Sequence, residues 1–379
     1  MMNEKKIRVL VDAHLFDQEF QGTRTFVREL YRAMTGKPGL ELFFAASDTE
    51  QLKHEFPGIP STNFISFKSR SSLYRLLIDI PRIIKQYKID YTHFQYIVPV
   101  WKNCRYIVTT HDVIFQESPA EFSIFYRFLK TILYRFGARR ADILTTVSAY
   151  SRRSIQKYLG VRSEKILLTP LGVNSVFFER HDKAACRQEF AGKYGFDKFI
   201  LCVSRFEARK NQVLLLRTYL ELGLYRQGYF LVMLGHRSLP VPEFDMALAA
   251  LDAEVRPYII IRSDVPDEEL PLFYRAARLF VYPSKAEGFG LPPLEAAAAQ
   301  TPVICSNTTA MAGFIFFEEG HIDPSDEPSF KKLVAAMIEK TPDAERLAAI
   351  SAIVAAKYSW QSSAESLYEA LMAHNRQPG

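Results

Sequence analysis

The chain has 379 residues, a net charge of +6 and 48% hydrophobic residues. That is more chain than one ordinary core organises, so two domains are expected. Its four cysteines, Cys104, Cys186, Cys202 and Cys305, have neither metal-site spacing nor a paired framework. A disulfide- or zinc-stapled fold is thereby excluded, and a cytoplasmic, reducing location is expected.

The first apolar run is short and ends at Asp12, which reads as a first strand rather than a signal peptide. No window has the length of a membrane span. Charge is uneven: residues 1–180 carry 27 Lys and Arg against 17 Asp and Glu, net +10, and the remainder 21 against 25, net −4. A basic first half suits peripheral contact with an anionic membrane, or a phosphate-bearing acceptor, as well as plain solvation. No nucleic-acid-binding module is recognisable, so no nucleic acid partner is expected.

Apolar, β-branched runs at 7–11, 42–45, 91–94, 106–110 and 143–147 alternate with helical periodicity over 25–34, 73–87, 124–138 and 149–159. This βαβα alternation predicts a parallel sheet covered on both faces, with ligands beyond the carboxyl ends of its strands. After the first strand, Gly22 and Thr23 fall where helix N–H groups can meet an anion, with Arg24 beside them. The basic, apolar stretch 67–89 reads as a helix packed on the sheet in preference to a membrane contact. His111 follows a strand and precedes Asp112, a good position for a ligand-facing imidazole. The stretch 121–140 is unusually aromatic and basic; it suits a membrane-facing patch or a domain-packing helix, and both remain open.

Turn residues at 169–174 end the first half, and the charged segment up to 198 reads as the inter-domain connection. A strand at 199–203 then leads into Arg205, Arg209 and Lys210, just before a helix over 212–220. Cations at a helix N-terminus are unfavourable alone, which points to an anion held there. Further strands are predicted at 230–234, 258–261, 279–282 and 302–305. The acidic run 265–270 is expected to open a helix, with others over 328–340, 343–358 and 361–373.

The stretch from Tyr282 to Pro302 holds Glu287 and Glu295 with seven residues between them, including Gly288, Gly290 and Pro292-Pro293. It reads as strand, glycine turn and helix N-terminus, built to hold a molecule bearing phosphate and hydroxyls.

The order of these features resembles the retaining glycosyltransferases of family GT4, with the GT-B fold. The resemblance is carried by the E-x7-E motif in EGFGLPPLEA, SRFEARKN at 204–211 and VPDEELPLFYRAARLFVYPS at 265–284, with HDV at 111–113 and PLGVN at 170–174 in the expected order. It implies two Rossmann-like α/β domains facing a cleft: an acceptor-binding domain over 1–178, a nucleotide-sugar domain over 179–358, and a helix over 359–379 crossing back onto the first. It implies that Arg205 and Lys210 grip a donor diphosphate, Glu295 holds the ribose, and Glu287 and His111 stand by the transferred sugar. Phe289, Gly290 and Leu291 would offer backbone N–H groups, Val265 would meet the base, and Gly22, Thr23 and Arg24 would form the acceptor and phosphate loop. The implied reaction moves a hexose, of mannose or glucose type, from GDP-mannose or a UDP-hexose to a glycan or lipid-linked acceptor in surface polysaccharide synthesis. Front-face displacement would retain configuration, with neither metal nor cofactor. Departures are Arg24 and Gln300, where glycines are usual, and TTAMAGFIFFEEG after Asn307, which lacks a usual Glu-Val pair. An inactive scaffold binding nucleotide sugar or lipid, a GT-B epimerase and a pyridoxal-dependent phosphorylase are competing readings. A dinucleotide oxidoreductase is disfavoured, since no G-x-G-x-x-G follows a strand.

Overall fold

A computed structural model describes residues 6–17, 22–237 and 240–376. The chain divides into two compact units, residues 1–172 with 359–379, and residues 173–358.

The first unit holds a seven-stranded parallel sheet in the order β3-β2-β1-β4-β5-β6-β7. Its strands are β1 (Ile7–Asp12), β2 (Leu40–Ala46), β3 (Phe64–Ser66), β4 (Tyr91–Gln95), β5 (Arg105–Thr109), β6 (Ile143–Thr146) and β7 (Ile166–Leu168). The expected strands are all present; β3 and β7, three residues each, are too short to give a periodic signal. Strand interiors are buried on both faces, which is why they read as continuous apolar runs rather than alternating ones. The second unit repeats the winding with six strands, β10-β9-β8-β11-β12-β13. These are β8 (Phe199–Val203), β9 (Phe230–Leu234), β10 (Ile259–Arg262), β11 (Leu279–Tyr282), β12 (Val303–Ser306) and β13 (His321–Ile322). In each sheet the order reverses once, between β1 and β4 and between β8 and β11. Side connections diverge there and leave room for a ligand beyond the strand ends.

Four expectations need correction. The boundary falls after Gly172 rather than at residue 178, because Phe177 packs edge-on against Tyr274 in the second unit. The segment taken as a connection holds a helix, Lys183–Tyr194, whose Phe190 stacks on Phe199 and meets Phe273. Half-buried Lys183 in that helix donates to the carbonyls of Arg275 and Ala299, at the ends of two other helices, and to Thr301 Oγ1. Burial holds the Lys183 amine down to about 7. The helix expected to open at 265 begins only at Leu270. Finally, the helix expected over 73–87 is not continuous: a π-helical turn, Arg75–Asp79, separates Ser72–Tyr74 from Ile80–Tyr87.

The last helix, Trp360–Arg376, belongs to the first unit. Trp360 lies edge-on to Phe26, Ser363 donates to the Pro170 carbonyl, and Tyr368 donates to that of Pro38.

Candidate functional site

In the second unit, β8 and β11 lie side by side, so the loops after them meet at the switch point. The first loop makes a 3-10 turn, Ala208–Lys210. Asn211 then adopts a left-handed conformation (φ 57°) before the helix Gln212–Glu221, a conformation asparagine tolerates better than most residues. The turn sends Lys210 under the second loop, where it meets Glu287, 77 positions later in sequence.

Glu287 Oε1 accepts from Lys210 Nζ (2.5 Å), Ser284 Oγ (2.6 Å) and Tyr282 Oη (3.0 Å). Its Oε2 faces Arg209 Nη1 at 3.2 Å. Burial pushes the Glu287 carboxyl up, but Lys210 and Arg209 outweigh it and hold it at about 2. Lys210 is shifted down, chiefly by burial and further by Arg209, although Glu287 opposes this. One carboxylate thus serves two cations. The Lys210 ammonium has three N–H donors; among the described residues, Glu287 and Tyr282 Oη take two of them.

Glu207, which the sequence reading left without a role, completes the cluster. Its two oxygens hold Arg205 (2.8 Å) and Arg209 (2.7 Å). Arg209 is buried and also donates to the Ala286 carbonyl at 2.7 Å, so it fastens the two loops together. Arg205 is 44% exposed along its side chain and remains open to a ligand. Much of the cationic charge expected to need an anion is therefore offset by Glu207 and Glu287. Three cations against two carboxylates still leave an excess of one positive charge.

Beyond Glu287 the chain turns at Gly290, whose φ of +101° favours glycine. A Cβ there would lie 2.7 Å from Met311 Cγ, so packing requires glycine as well. The helix Leu291–Ala298 follows, with Pro292 and Pro293 in its first turn, where no N–H is needed. Among the described residues, the N–H groups of Phe289 and Gly290 take no partner. The Phe289 ring is packed against Phe314 and Tyr358, so only its backbone can face a ligand. Thr309 Oγ1 accepts from the Glu287 N–H at 2.9 Å. The unusual stretch after Asn307 thus braces the turn through Thr309, Met311 and Phe314, a role no sequence signal marked.

Glu295 is half-buried and accepts from Tyr274 Oη at 2.8 Å. Burial raises its carboxyl to about 7, against the pull of that hydrogen bond. Val265 lies half-buried in the loop between β10 and the helix Leu270–Ala276. Gln300 has φ +55° just past the helix end. Its N–H donates to Ala297 and that of Thr301 to Ala296, a closing motif that normally uses glycine.

In the first unit, His111 is buried at the end of β5, edge-on to Phe26. Its Nε2 lies 2.6 Å from Gln95 Oε1 and donates to it, which leaves Nδ1 as the acceptor. His93 Nδ1 meets Tyr31 Oη, and His93 Nε2 meets Thr109 Oγ1, both at 2.7 Å. Burial lowers both imidazoles to about 3, so each is neutral. Gly22 opens the helix Gly22–Met34, and a Cβ added to it would meet nothing within 4 Å. Thr23 Oγ1 is buried and has no partner among the described residues. Arg24 is paired with Glu55 at 3.0 Å and lies over the Phe16 ring. Gln21, the start of that loop, lies outside the described residues. At the end of β1, Asp12 is held by Arg75 and His14; these keep its carboxyl well below the usual range despite burial.

A family model described as glycosyl transferases group 1 matches residues 187–352, and one described as Glycosyltransferase Family 4 matches residues 20–176. O-antigen chain mannosyltransferase B of Escherichia coli is 27% identical over 341 residues, covering 85% of this chain and 87% of that protein. Sucrose-phosphate synthase from Thermosynechococcus elongatus superposes with a TM-score of 0.73 at 18% identity, over 97% of this chain and 99% of its own. HepE from Anabaena, solved with UDP and glucose, superposes with a TM-score of 0.71 at 14% identity, over 97% and 100%.

Proposed function

Since this chain belongs to the GT4 glycosyltransferases and has the GT-B fold, we propose that it moves a hexose from a nucleoside diphosphate sugar to a hydroxyl of a glycan or lipid-linked acceptor in surface polysaccharide synthesis. The observation that carries this reading is the preformed Lys210–Glu287 cluster at the β8/β11 switch point, in the same loop as the Phe289 and Gly290 N–H groups, which take no partner among the described residues. The mannosyltransferase relative supports a mannose-type donor.

Each group then has a task. The departing nucleoside diphosphate gains negative charge, which Arg205 and the third N–H of Lys210 stabilise together with the helix N-terminus after Gly290. Because these donors are already fixed by Glu207, Glu287 and Tyr282, little reorganisation is needed when charge develops. Glu287 Oε2 has a lone pair left for a hydroxyl of the transferred sugar. Glu295 and the Val265 backbone receive the ribose and base. Neutral His111 offers an uncharged group to the sugar, and Gly22 with Thr23 opens a helix N-terminus toward acceptor or phosphate. With cationic charge supplied by side chains, the reaction needs no metal, and configuration is retained by front-face displacement. The enzyme works in the cytoplasm, peripheral to the membrane.

The test is release of nucleoside diphosphate from a panel of GDP- and UDP-hexoses, with and without chelator, and nuclear magnetic resonance of the product's anomeric configuration. One donor should be consumed in chelator, with its configuration kept. Consumption of none would point to an inactive scaffold, and magnesium dependence would overturn the metal-free reading.

A further inference from the structure

The helix Ile124–Arg140 is seated with the wrong face outward. At about 100° per residue, Ile124, Phe125, Phe128, Leu129, Ile132 and Phe136 fall in one arc of roughly 140°. All six are exposed, from 36% at Phe136 to 82% at Ile124. The inward side carries Tyr134, Gly137 and Ala138, with polar residues flanking them. Arg127 donates to Gln116 at 3.0 Å, and Lys130 lies over the Tyr126 and Tyr134 rings. The seating is firm: a Cβ on Gly137 would come within 2.3 Å of the Tyr96 carbonyl oxygen, so the helix backbone lies directly on the loop after β4. A solvent-facing helix ordinarily shows the reverse pattern, apolar residues inward and charges outward.

We propose that this face docks on an anionic lipid surface. The charge pattern selects that partner. The helix contains five cations, Arg127, Lys130, Arg135, Arg139 and Arg140, and no Asp or Glu. Arg135 and Arg139 fall within the apolar arc and are exposed. An apolar strip studded with exposed arginines, of which Arg135 donates to the Tyr158 carbonyl at 3.0 Å, suits acyl chains beneath phosphate headgroups, whereas a second copy of the same face would bring like charges together. The patch continues past the helix end: Lys102 donates to the Arg140 carbonyl, placing the loop of exposed Val100 and Trp101 alongside. Tryptophan favours such a boundary, its ring apolar and its N–H wet. Among the described residues, no helix is long and apolar enough to cross a membrane, so the contact lies on the surface. This deepens the peripheral-membrane part of the proposed function and rests on it.

The test is co-sedimentation of the full chain with vesicles of phosphatidylcholine, alone or mixed with phosphatidylglycerol. The wild type should bind the anionic vesicles at least about tenfold more tightly, since each arginine near such a surface contributes about fivefold. The triple variant Phe125→Ser, Phe128→Ser, Ile132→Ser should lose about tenfold or more, and Arg135→Glu with Arg139→Glu should erase the preference for anionic lipid. Circular dichroism and the melting temperature of each variant, compared with wild type, show whether it remains folded. Wild-type chain that stays in the supernatant, or a triple variant that binds as before, overturns the proposal. So does a wild-type dimer that the triple variant turns into a monomer, because the face is then an interface between copies. Sugar-donor turnover without vesicle binding defeats this surface alone, and vesicle binding without turnover defeats only the transferase reading.

Discussion

The two units wind their sheets in the same order, yet the chemistry at their switch points differs. In the second, buried groups are charged: Lys210 and Arg209 share Glu287, and Glu207 bridges Arg209 to Arg205. In the first, Asp12 at the end of β1 forms a buried pair with Arg75 that includes no lysine, while the buried groups around His111, after β5, are neutral: Gln95, His93, Thr109 and Thr145 connect through uncharged hydrogen bonds. Topology therefore sets where a ligand sits, while loop residues set what it is. A cationic cluster suits a leaving diphosphate, and a neutral imidazole suits a sugar that must be positioned without being protonated.

Breaking the charged side should have the largest effect. Lys210→Ala should cost about 100- to 1000-fold in turnover, measured as nucleoside diphosphate release below the variant's melting temperature. Arg205→Ala should cost less, since its guanidinium is half in solvent. Equal losses would mean that burial of Lys210 confers no advantage.

The neutral side predicts a missing pH effect. With His111 held at about 3, wild type and His111→Asn should differ in rate but share the shape of their rate profile between about pH 5 and 8. An acidic limb present only in the wild type would assign His111 a protonation role and erase the contrast.

Glu295 falls between the two, raised to about 7. If Glu295 receives the ribose as proposed, the ribose hydroxyls would donate to the carboxylate, so nucleotide affinity should rise with pH through 7, and calorimetry on Glu295→Gln should lose that dependence. The sign for stability is opposite. A carboxyl whose folded value lies above its ordinary 4.5 destabilises the fold progressively as pH rises from there through 7.

The smallest effect concerns Gln300, held left-handed where glycine fits without cost. Gln300→Gly should stabilise the second unit by about 1 kcal/mol, a rise of a few degrees in Tm.

Much of this was legible in the residues. The strands that carry the sites are apolar runs, and Arg205, Lys210, Glu287 and Glu295 lie in dense local motifs. The supporting contacts were not. Glu207 looks like any loop carboxylate until two arginines close on it. Thr309 and Met311 brace the Gly290 turn from a segment with no motif of its own. Arg24 stands in an anion-binding position by sequence, yet its side chain is paired with Glu55, a partner 31 positions away. The orientation of Ile124–Arg140 was likewise undetermined: composition fits either face outward, and only the close approach at Gly137 fixes which.

The claim that matters most is that the buried Lys210–Glu287 pair is a diphosphate site. Calorimetric titration of wild type and Lys210→Ala with a nucleoside diphosphate and the matching nucleoside tests it directly. The wild type should bind the diphosphate about 100-fold more tightly, and the variant should bring the two affinities to within about tenfold. A variant that keeps the full discrimination would contradict the assignment.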